Sequence, residues 1–224
     1  MSEQRSLKQR IHNGEIIQIA GASMNVSKTQ LEDILSKDTY DLVGVDSQHS
    51  AFNEEKLVTF CAMAEELGVP VQLRIKHTRQ AYLIGNYLDL GPLAIVVPQV
   101  EDEATVLEAI DAFYYPQIGK RSWGPSAGYG IKAHRDRREY AELWNQNGIL
   151  CLQLESGNAV TNARKLAKPG VDMFVFGAND LNFSLESYPH PPFKTVDDCI
   201  RHVVTQMEGT QVKVGVGNSP SGRL

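Results

Sequence analysis

The sequence predicts an α/β fold, a (β/α)8 TIM barrel that lacks or shortens its eighth strand–helix unit. Three observations carry this reading. Short apolar runs alternate with amphipathic helical patterns along the chain, the order that builds a parallel sheet. The apolar runs are near-continuously hydrophobic rather than alternating, as in strands buried on both faces. The chain also has neither GxGxxG nor a GxxxxGK turn, one of which an open doubly wound sheet that bound a nucleotide would usually show after an early strand.

Seven runs qualify as strands: EIIQIAG (15–21), DLVGVDS (41–47), PVQLRI (70–75), LAIVVPQ (93–99), ILCLQLE (149–155), VDMFVFG (171–177) and QVKVGVG (211–217). Helices are expected between them. SKTQLEDILSK offers Ser27 as N-cap with Gln30 three residues on, the spacing of a capping box. NEEKLVTFCAMAEELG starts at Asn53, carries early acids and stops at Gly68. EDEATVLEAIDAF and FKTVDDCIRHVVTQM have the same amphipathic spacing. The connection 114–133, YYPQIGKRSWGPSAGYGIKA, is rich in Gly, Pro and aromatic residues, and loops of that length inside a domain are usually functional. The chain ends at GNSPSGRL just after the seventh run, which leaves the eighth unit unaccounted for. No linker composition interrupts the pattern, so residues 1–224 are expected to form one barrel domain.

Composition bounds the function class. A chain of 224 residues, 42% hydrophobic and 22% charged, suits a globular domain with a large core. The formal net charge of −5 and the lack of a dense Lys/Arg run give no electrostatic case for nucleic acid or an anionic membrane. The basic residues of HRDRRE (134–139) are interrupted by acids and read as a solvated helix start. The three cysteines, Cys61, Cys151 and Cys199, form no CxxC pair, which favours a reduced, cytoplasmic protein. MSEQRSLKQR has no apolar core of a signal peptide, and no apolar run approaches the roughly 20 residues that span a bilayer.

In a barrel the C-terminal ends of the strands form the active face. The second run ends in Asp46, Gln48 and His49, the third in Arg74, the fifth in Gln153 and Glu155, and the sixth leads through GAND to Asp180. Neighbouring parallel strands lie about 4.8 Å apart, so Glu155 and Asp180 are placed to share one ion. Two carboxylates, completed by waters and substrate oxygens, suit a hard cation such as Mg²⁺ or Mn²⁺, and without one they would repel. The alternative is that Glu155 is a solvated strand end and Asp180 caps a short helix, DLNFSLE. Arg74 requires a partner: a substrate carboxylate or oxyanion, or an internal salt bridge with Asp46. His49 is the best-placed base, since the imidazole titrates at about 6.5, although a lone His is more often structural. Asp89, in YLDLGP, stands at a helix end where its charge opposes the dipole, so it wants a partner, an imidazolium or simply water. His12, His77, His134, His190 and His202 lack comparable settings.

With these residues assembled, the chain resembles the HpcH/HpaI aldolase family, the metal-dependent class II pyruvate aldolases, from about Ile16 to Gly217. DSQHS is similar to the family's D-x-E-H segment and LRI to its v-R-v strand. YLDLGPLAIVVPQV is similar to L-D-x-G-a-x-G-i-v-v-P-x-v, and YYPQIGKRS to y-P-P-x-G-x-R-G. LQLESGNAVTN and GVDMFVFGANDLNFSL resemble the two remaining blocks, in the family's order. The resemblance implies that Glu155 and Asp180 ligate a divalent metal, Mg²⁺, Mn²⁺ or Co²⁺. It implies that Arg74 binds the ketone or enolate oxygen, and that His49, oriented by Asp89, is the acid/base. Gln153 would line a pyruvate pocket, and the backbone N–H groups of Asn179 and Asp180 would hold the pyruvate carboxylate. The reaction implied is retro-aldol cleavage of a 4-hydroxy-2-oxo acid to a 2-oxo acid and an aldehyde, in a homo-oligomer. The resemblance also implies oxaloacetate decarboxylation as a side activity through the same enolate.

Three departures stand out. Gln48 replaces the usual Glu, Gln117 and Ser122 stand where Pro and Gly are usual, and the C-terminal segment is short or absent. Two other readings use the same residues. A Schiff-base aldolase needs a lysine of lowered pKa inside the barrel, and Lys76 and Lys213 are the only ones near strand ends or within strands. The Gln48 change and the short tail also fit a barrel that binds an oxo acid without turning it over.

Overall fold

The computed structural model describes residues 5–134 and 136–216. The tail GNSPSGRL, with the last residue of the seventh apolar run, lies outside them. Seven parallel strands lie side by side in chain order: β1 (Ile19–Gly21), β2 (Leu42–Asp46), β3 (Val71–Arg74), β4 (Ala94–Val97), β5 (Ile149–Leu154), β6 (Met173–Phe176) and β7 (Lys213–Val214). Each predicted run contains one of them. A doubly wound sheet reverses its strand order at a switch point, whereas this sheet adds each strand beside the last, as a barrel does.

The sheet curls. Ile17 and Ile19 at its first edge line the same cavity as Met173, Val175 and Gly215 at its last. β1 and β7 each pair with a single neighbour, so the barrel is open along that seam, and among the described residues no eighth strand fills it. Side chains alternate across the sheet. Val43, Val45, Leu73, Ile95, Val97, Leu152 and Phe174 belong to the buried apolar cluster shared with the helices. Gly44, Asp46, Gln72, Arg74, Gln153 and Val175 have the opposite parity and line the cavity.

The helices are α1 (Leu7–His12), α2 (Lys28–Leu35), α3 (Glu54–Glu66), α4 (Ile84–Leu88), α5 (Glu103–Phe113), α6 (Arg137–Asn147), α7 (Gly157–Thr161), α8 (Ala163–Leu166), α9 (Ala178–Glu186) and α10 (Val196–Met207). Their starts follow local chemistry. Ser27 caps α2 and Gln30 returns the bond to the Ser27 N–H, completing the expected capping box. Asn53 caps α3, Asp102 caps α5, Asp136 caps α6 and Thr195 caps α10. Gly68, at φ +76, takes the left-handed turn after α3 that a β-carbon would disfavour.

One feature at the opposite, N-terminal end of the strands has no counterpart in the sequence reading. α1 pins itself beneath the barrel through Asp172, which is 1% exposed. The Lys8 ammonium lies 3.2 Å from Asp172 Oδ1 and donates to the Tyr114 hydroxyl and the Gly148 carbonyl. His12 Nε2 lies 2.8 Å from the same carboxylate oxygen. Asp172 Oδ2 also accepts from the Leu150 N–H at 2.8 Å. His12 therefore has a specific partner, contrary to expectation, but it belongs to this structural cluster. The three cysteines are free and buried, and among the described residues no helix is long and apolar enough to cross a membrane.

Candidate active site

The C-terminal ends of β2, β3, β5 and β6 deliver the polar groups to one mouth. Asp46 and Arg74 are direct partners in the β2–β3 register, so their side chains leave the sheet on the same side. Arg74 Nε donates to Asp46 Oδ1 at 2.9 Å and Nη2 to Oδ2 at 2.5 Å, a two-pronged pair. Burial pushes the Asp46 carboxyl up, but the bonds from Arg74 and from the backbone N–H groups of Gln48 and His49 outweigh it, and the group sits below its usual range. The internal salt bridge considered for Arg74 thus exists, and it leaves Nη1 uncommitted to Asp46. That nitrogen lies 3.3 Å from Gln153 Oε1. Arg74, Asp46, Gln153 and Gln72 all line a cavity of about 460 Å³ inside the curled sheet.

Glu155 follows β5 with the same inward parity as Gln153, and it is 5% exposed. Its Oε1 accepts from the Gln99 N–H at 2.8 Å, and its Oε2 is buried with no hydrogen-bond partner. Burial first, and then the neighbouring Asp180 carboxyl, raise Glu155 to about 7, against the opposing pull of the Gln99 N–H and of Arg74. Two further positions make this cradle. Gln99 holds φ at +51, a left-handed conformation rare for a residue with a side chain, and this aims its N–H at Glu155. Gly177 passes so close that a β-carbon there would lie 2.3 Å from Glu155 Oε2 and 2.8 Å from Gln153 Nε2. Glycine is required here by space, since its φ of −93 is open to any residue.

Asp180 stands in the first turn of α9, whose N-cap is Gly177 and which has no side-chain cap. The first N–H groups of that helix are therefore free to meet an anion. Asp180 is half-buried and Asn179 is exposed. The donor set of this corner is two carboxylates close enough to share a proton, and Glu155 Oε2 takes no bond from any N–H or hydroxyl. Among the described residues no group of three His, Cys, Asp or Glu side chains gathers as a metal site. The residues present fit a hard cation that draws its other ligands from water and substrate.

The sequence-predicted set therefore divides. Arg74, Gln153, Glu155 and Asp180 come together with Asp46. His49 is exposed, held by its backbone N–H to Asp46, and among the described residues its ring makes no hydrogen bond. Asp89, at the C-cap of α4, does not meet His49. Its Oδ1 accepts from Arg121 Nη2 at 2.6 Å, so the imidazolium partner expected for it is replaced by a guanidinium. Burial nonetheless outweighs Arg121 and raises the Asp89 carboxyl. Gln99 and Gly177 are not among the sequence-predicted residues. Only their positions just after strands 4 and 6 could have drawn attention to them. Lys76 is exposed, and no lysine lines the cavity, which disfavours a Schiff-base site there.

The model of the HpcH/HpaI aldolase/citrate lyase family matches residues 24–215. A 2-keto-3-deoxy-L-rhamnonate aldolase of Klebsiella pneumoniae is 27% identical over 190 residues, covering 82% of this chain and 70% of that protein. A 2-dehydro-3,6-dideoxy-6-sulfogluconate aldolase of Pseudomonas putida is 25% identical over 183 residues, covering 81% and 71%. Among solved structures, an HpcH/HpaI aldolase from Desulfitobacterium hafniense superposes with a TM-score of 0.79 at 24% identity, covering 95% of this chain and 81% of that one. At that identity the superposition speaks for the barrel alone.

Proposed function

The chain belongs to the HpcH/HpaI aldolase/citrate lyase family, and on that premise we propose that it is a divalent-metal-dependent aldolase. It is a carbon–carbon lyase that cleaves or forms 4-hydroxy-2-oxo acids. One observation carries the metal: the buried Glu155 carboxylate, with an oxygen that no N–H or hydroxyl claims, lies within hydrogen-bonding reach of the Asp180 carboxyl, where a cation can replace a shared proton. Glu155 and Asp180 would hold Mg²⁺, Mn²⁺ or Co²⁺. When bound, the cation polarises the 2-oxo group and stabilises the negative charge that develops there.

The chain's own residues do the rest. Arg74 is tied at two nitrogens to Asp46, so its guanidinium cannot swing away, and its third nitrogen, which lies 3.3 Å from Gln153 Oε1, would turn to the oxygen on which charge develops. Gln153 lines the pocket beside it, and the free N–H groups of Asn179 and Asp180 at the start of α9 hold the substrate carboxylate. His49 takes the 4-hydroxyl proton, the C3–C4 bond breaks, and the aldehyde leaves. The three-carbon enolate left against Arg74 takes a proton at C3. Oxaloacetate, losing CO₂ to the same enolate, is a side substrate. Asp89 acts in this arrangement through Arg121, by fixing the start of the 114–133 connection, and His49 works without it.

The two relatives' names describe 2-oxo acids deoxygenated at C3, the skeleton this cleavage needs. We propose a single barrel domain, homo-oligomeric and cytoplasmic, acting on a small 2-oxo acid and an aldehyde. The test is a metal-supplemented screen of pyruvate with varied aldehydes, read by mass spectrometry. An adduct that EDTA removes and Mn²⁺ restores is the expected result. Adduct formation insensitive to EDTA, with borohydride trapping on Lys76, would move the reading to Schiff-base chemistry. Stabilisation by pyruvate and Mg²⁺ without any adduct would make the chain an oxo-acid binder, the reading to which Gln48 in place of Glu lends weight.

A further inference from the structure

The ladder between β5 and β6 stops just short of the proposed metal ligands. Leu154 pairs with Phe176, and a last bond runs from the Gly177 N–H to the Leu154 carbonyl at 3.4 Å. Glu155 and Asp180 lie beyond that point, and α9, which carries Asp180, has no side-chain cap to fix its start. The gap between the two carboxylates is therefore set by contacts outside the sheet.

Two such contacts meet at residues 156–157, directly after Glu155. On one side, the Ser156 hydroxyl donates to Glu101 Oε1 in the connection after β4. The same oxygen accepts from the Ala159 N–H at 3.1 Å as the N-cap of α7, so the hydroxyl is engaged both as donor and as acceptor. On the other side, the Gly157 N–H donates to Ser184 Oγ at 3.1 Å. Ser184 follows Asp180 by four residues, so the two share a face of α9 one turn apart. The connection after β4 also supplies the Gln99 N–H that holds Glu155 Oε1. One short turn thus links the rim that holds Glu155 to the helix that carries Asp180.

The gap itself is narrow, since the two carboxyls lie within hydrogen-bonding reach. Adjacent oxygens around an octahedral Mg²⁺, at about 2.0–2.1 Å from the ion, lie about 2.9 Å apart, which is hydrogen-bonding distance, whereas around Ca²⁺, at about 2.3–2.6 Å, they lie about 3.3–3.7 Å apart. A difference of this size discriminates only where the ligands are held to within about 0.5 Å.

We propose that the Glu101–Ser156 and Gly157–Ser184 bonds form a clasp that sets this gap to the smaller octahedral cations and against Ca²⁺, with Glu101 and Ser184 as positioning residues. The inference rests on the metal assignment proposed above and adds to it which residues fix the ion's size.

Calorimetric titration of the metal-free protein with Mg²⁺ and, separately, with Ca²⁺ at constant ionic strength tests this. The parent binds one Mg²⁺ per chain, and more tightly than Ca²⁺. Ser184→Ala and Glu101→Ala each lower Mg²⁺ affinity by about tenfold, as loss of an outer partner of a metal site does. Ca²⁺ affinity falls less, so the preference for Mg²⁺ narrows. Glu101→Gln keeps an acceptor for the Ser156 hydroxyl and keeps the preference. Ser27→Ala, which removes the cap of α2, lowers the melting temperature without moving either affinity. A parent that binds neither ion overturns the metal assignment and the clasp with it. A parent that binds Mg²⁺ without preference over Ca²⁺, or a ratio that Ser184→Ala and Glu101→Ala both leave unchanged, overturns the clasp while the metal assignment stands. Loss of the preference in Glu101→Gln assigns the effect to charge and overturns the positioning role of Glu101.

Discussion

Replacing Gly177 with alanine tests the cradle at its tightest point. The new carbon would lie 2.3 Å from Glu155 Oε2 and 2.9 Å from Glu155 Cδ, where ordinary contact begins at 3.4 Å. The carboxylate must therefore retreat by about 1 Å, twice the tolerance of about 0.5 Å that a functional site allows. Retreat strains the 2.8 Å bond from the Gln99 N–H, and Gln153 Nε2, 2.8 Å from the same carbon, blocks the other side. Overpacking of this kind costs about 1–3 kcal/mol. At about 2–4 °C per kcal/mol for a chain of this size, the melting temperature falls by roughly 2–12 °C. Displacing a ligand by this distance lowers Mn²⁺ affinity by an expected factor of about ten or more. Gly21→Ala is the control, since its new carbon meets nothing within 4 Å. Thermal melts and calorimetric Mn²⁺ titration read both effects. A Gly177→Ala protein with the parent's melting temperature and Mn²⁺ affinity would refute the cradle.

Other consequences are as direct. Glu155 is raised to about 7 from 4.5, so the folded state holds its proton more tightly than the unfolded one. The metal-free protein therefore loses stability as pH rises from 4.5 to about 7, while Mn²⁺ affinity climbs over the same window as metal displaces that proton; Glu155→Gln flattens both curves. Asp172→Ala leaves Lys8 without its carboxylate and the Leu150 N–H without its acceptor, and urea denaturation should report a loss of about 3–5 kcal/mol. His49→Ala slows aldol cleavage and leaves Mn²⁺ binding intact, because its ring is exposed and the carboxylate pair, not the imidazole, is the proposed ligand set. An unchanged rate removes His49 from the mechanism.

The barrel was legible because its signals are local. Continuous apolar runs mark strands buried on both faces, and Ser27 and Asn53 mark helix starts through bonds to residues three positions on. The edge strands were overread. EIIQIAG shrinks to Ile19–Gly21 and leaves Ile16 84% exposed, since β1 has a neighbour on one side alone. Among the site residues, Arg74, Gln153, Glu155 and Asp180 could be gathered from strand-end positions, because parallel strands bring their C-termini to one face. What escaped is non-local or conformational. Asp89 finds Arg121 at 32 residues' distance, and His12 finds Asp172 at 160, pairings that no local spacing encodes. Gln99 matters through a backbone angle, and Gly177 through the absence of an atom.

The central claim is that Glu155 and Asp180 grip one divalent ion. Mn²⁺ binding followed by electron paramagnetic resonance, in the parent and in Glu155→Gln, tests it most directly. The glutamine keeps the size of the side chain and removes its charge. One ion bound per parent chain, and none at the same concentration in the variant, is the predicted result. Equal Mn²⁺ occupancy in both proteins would contradict it.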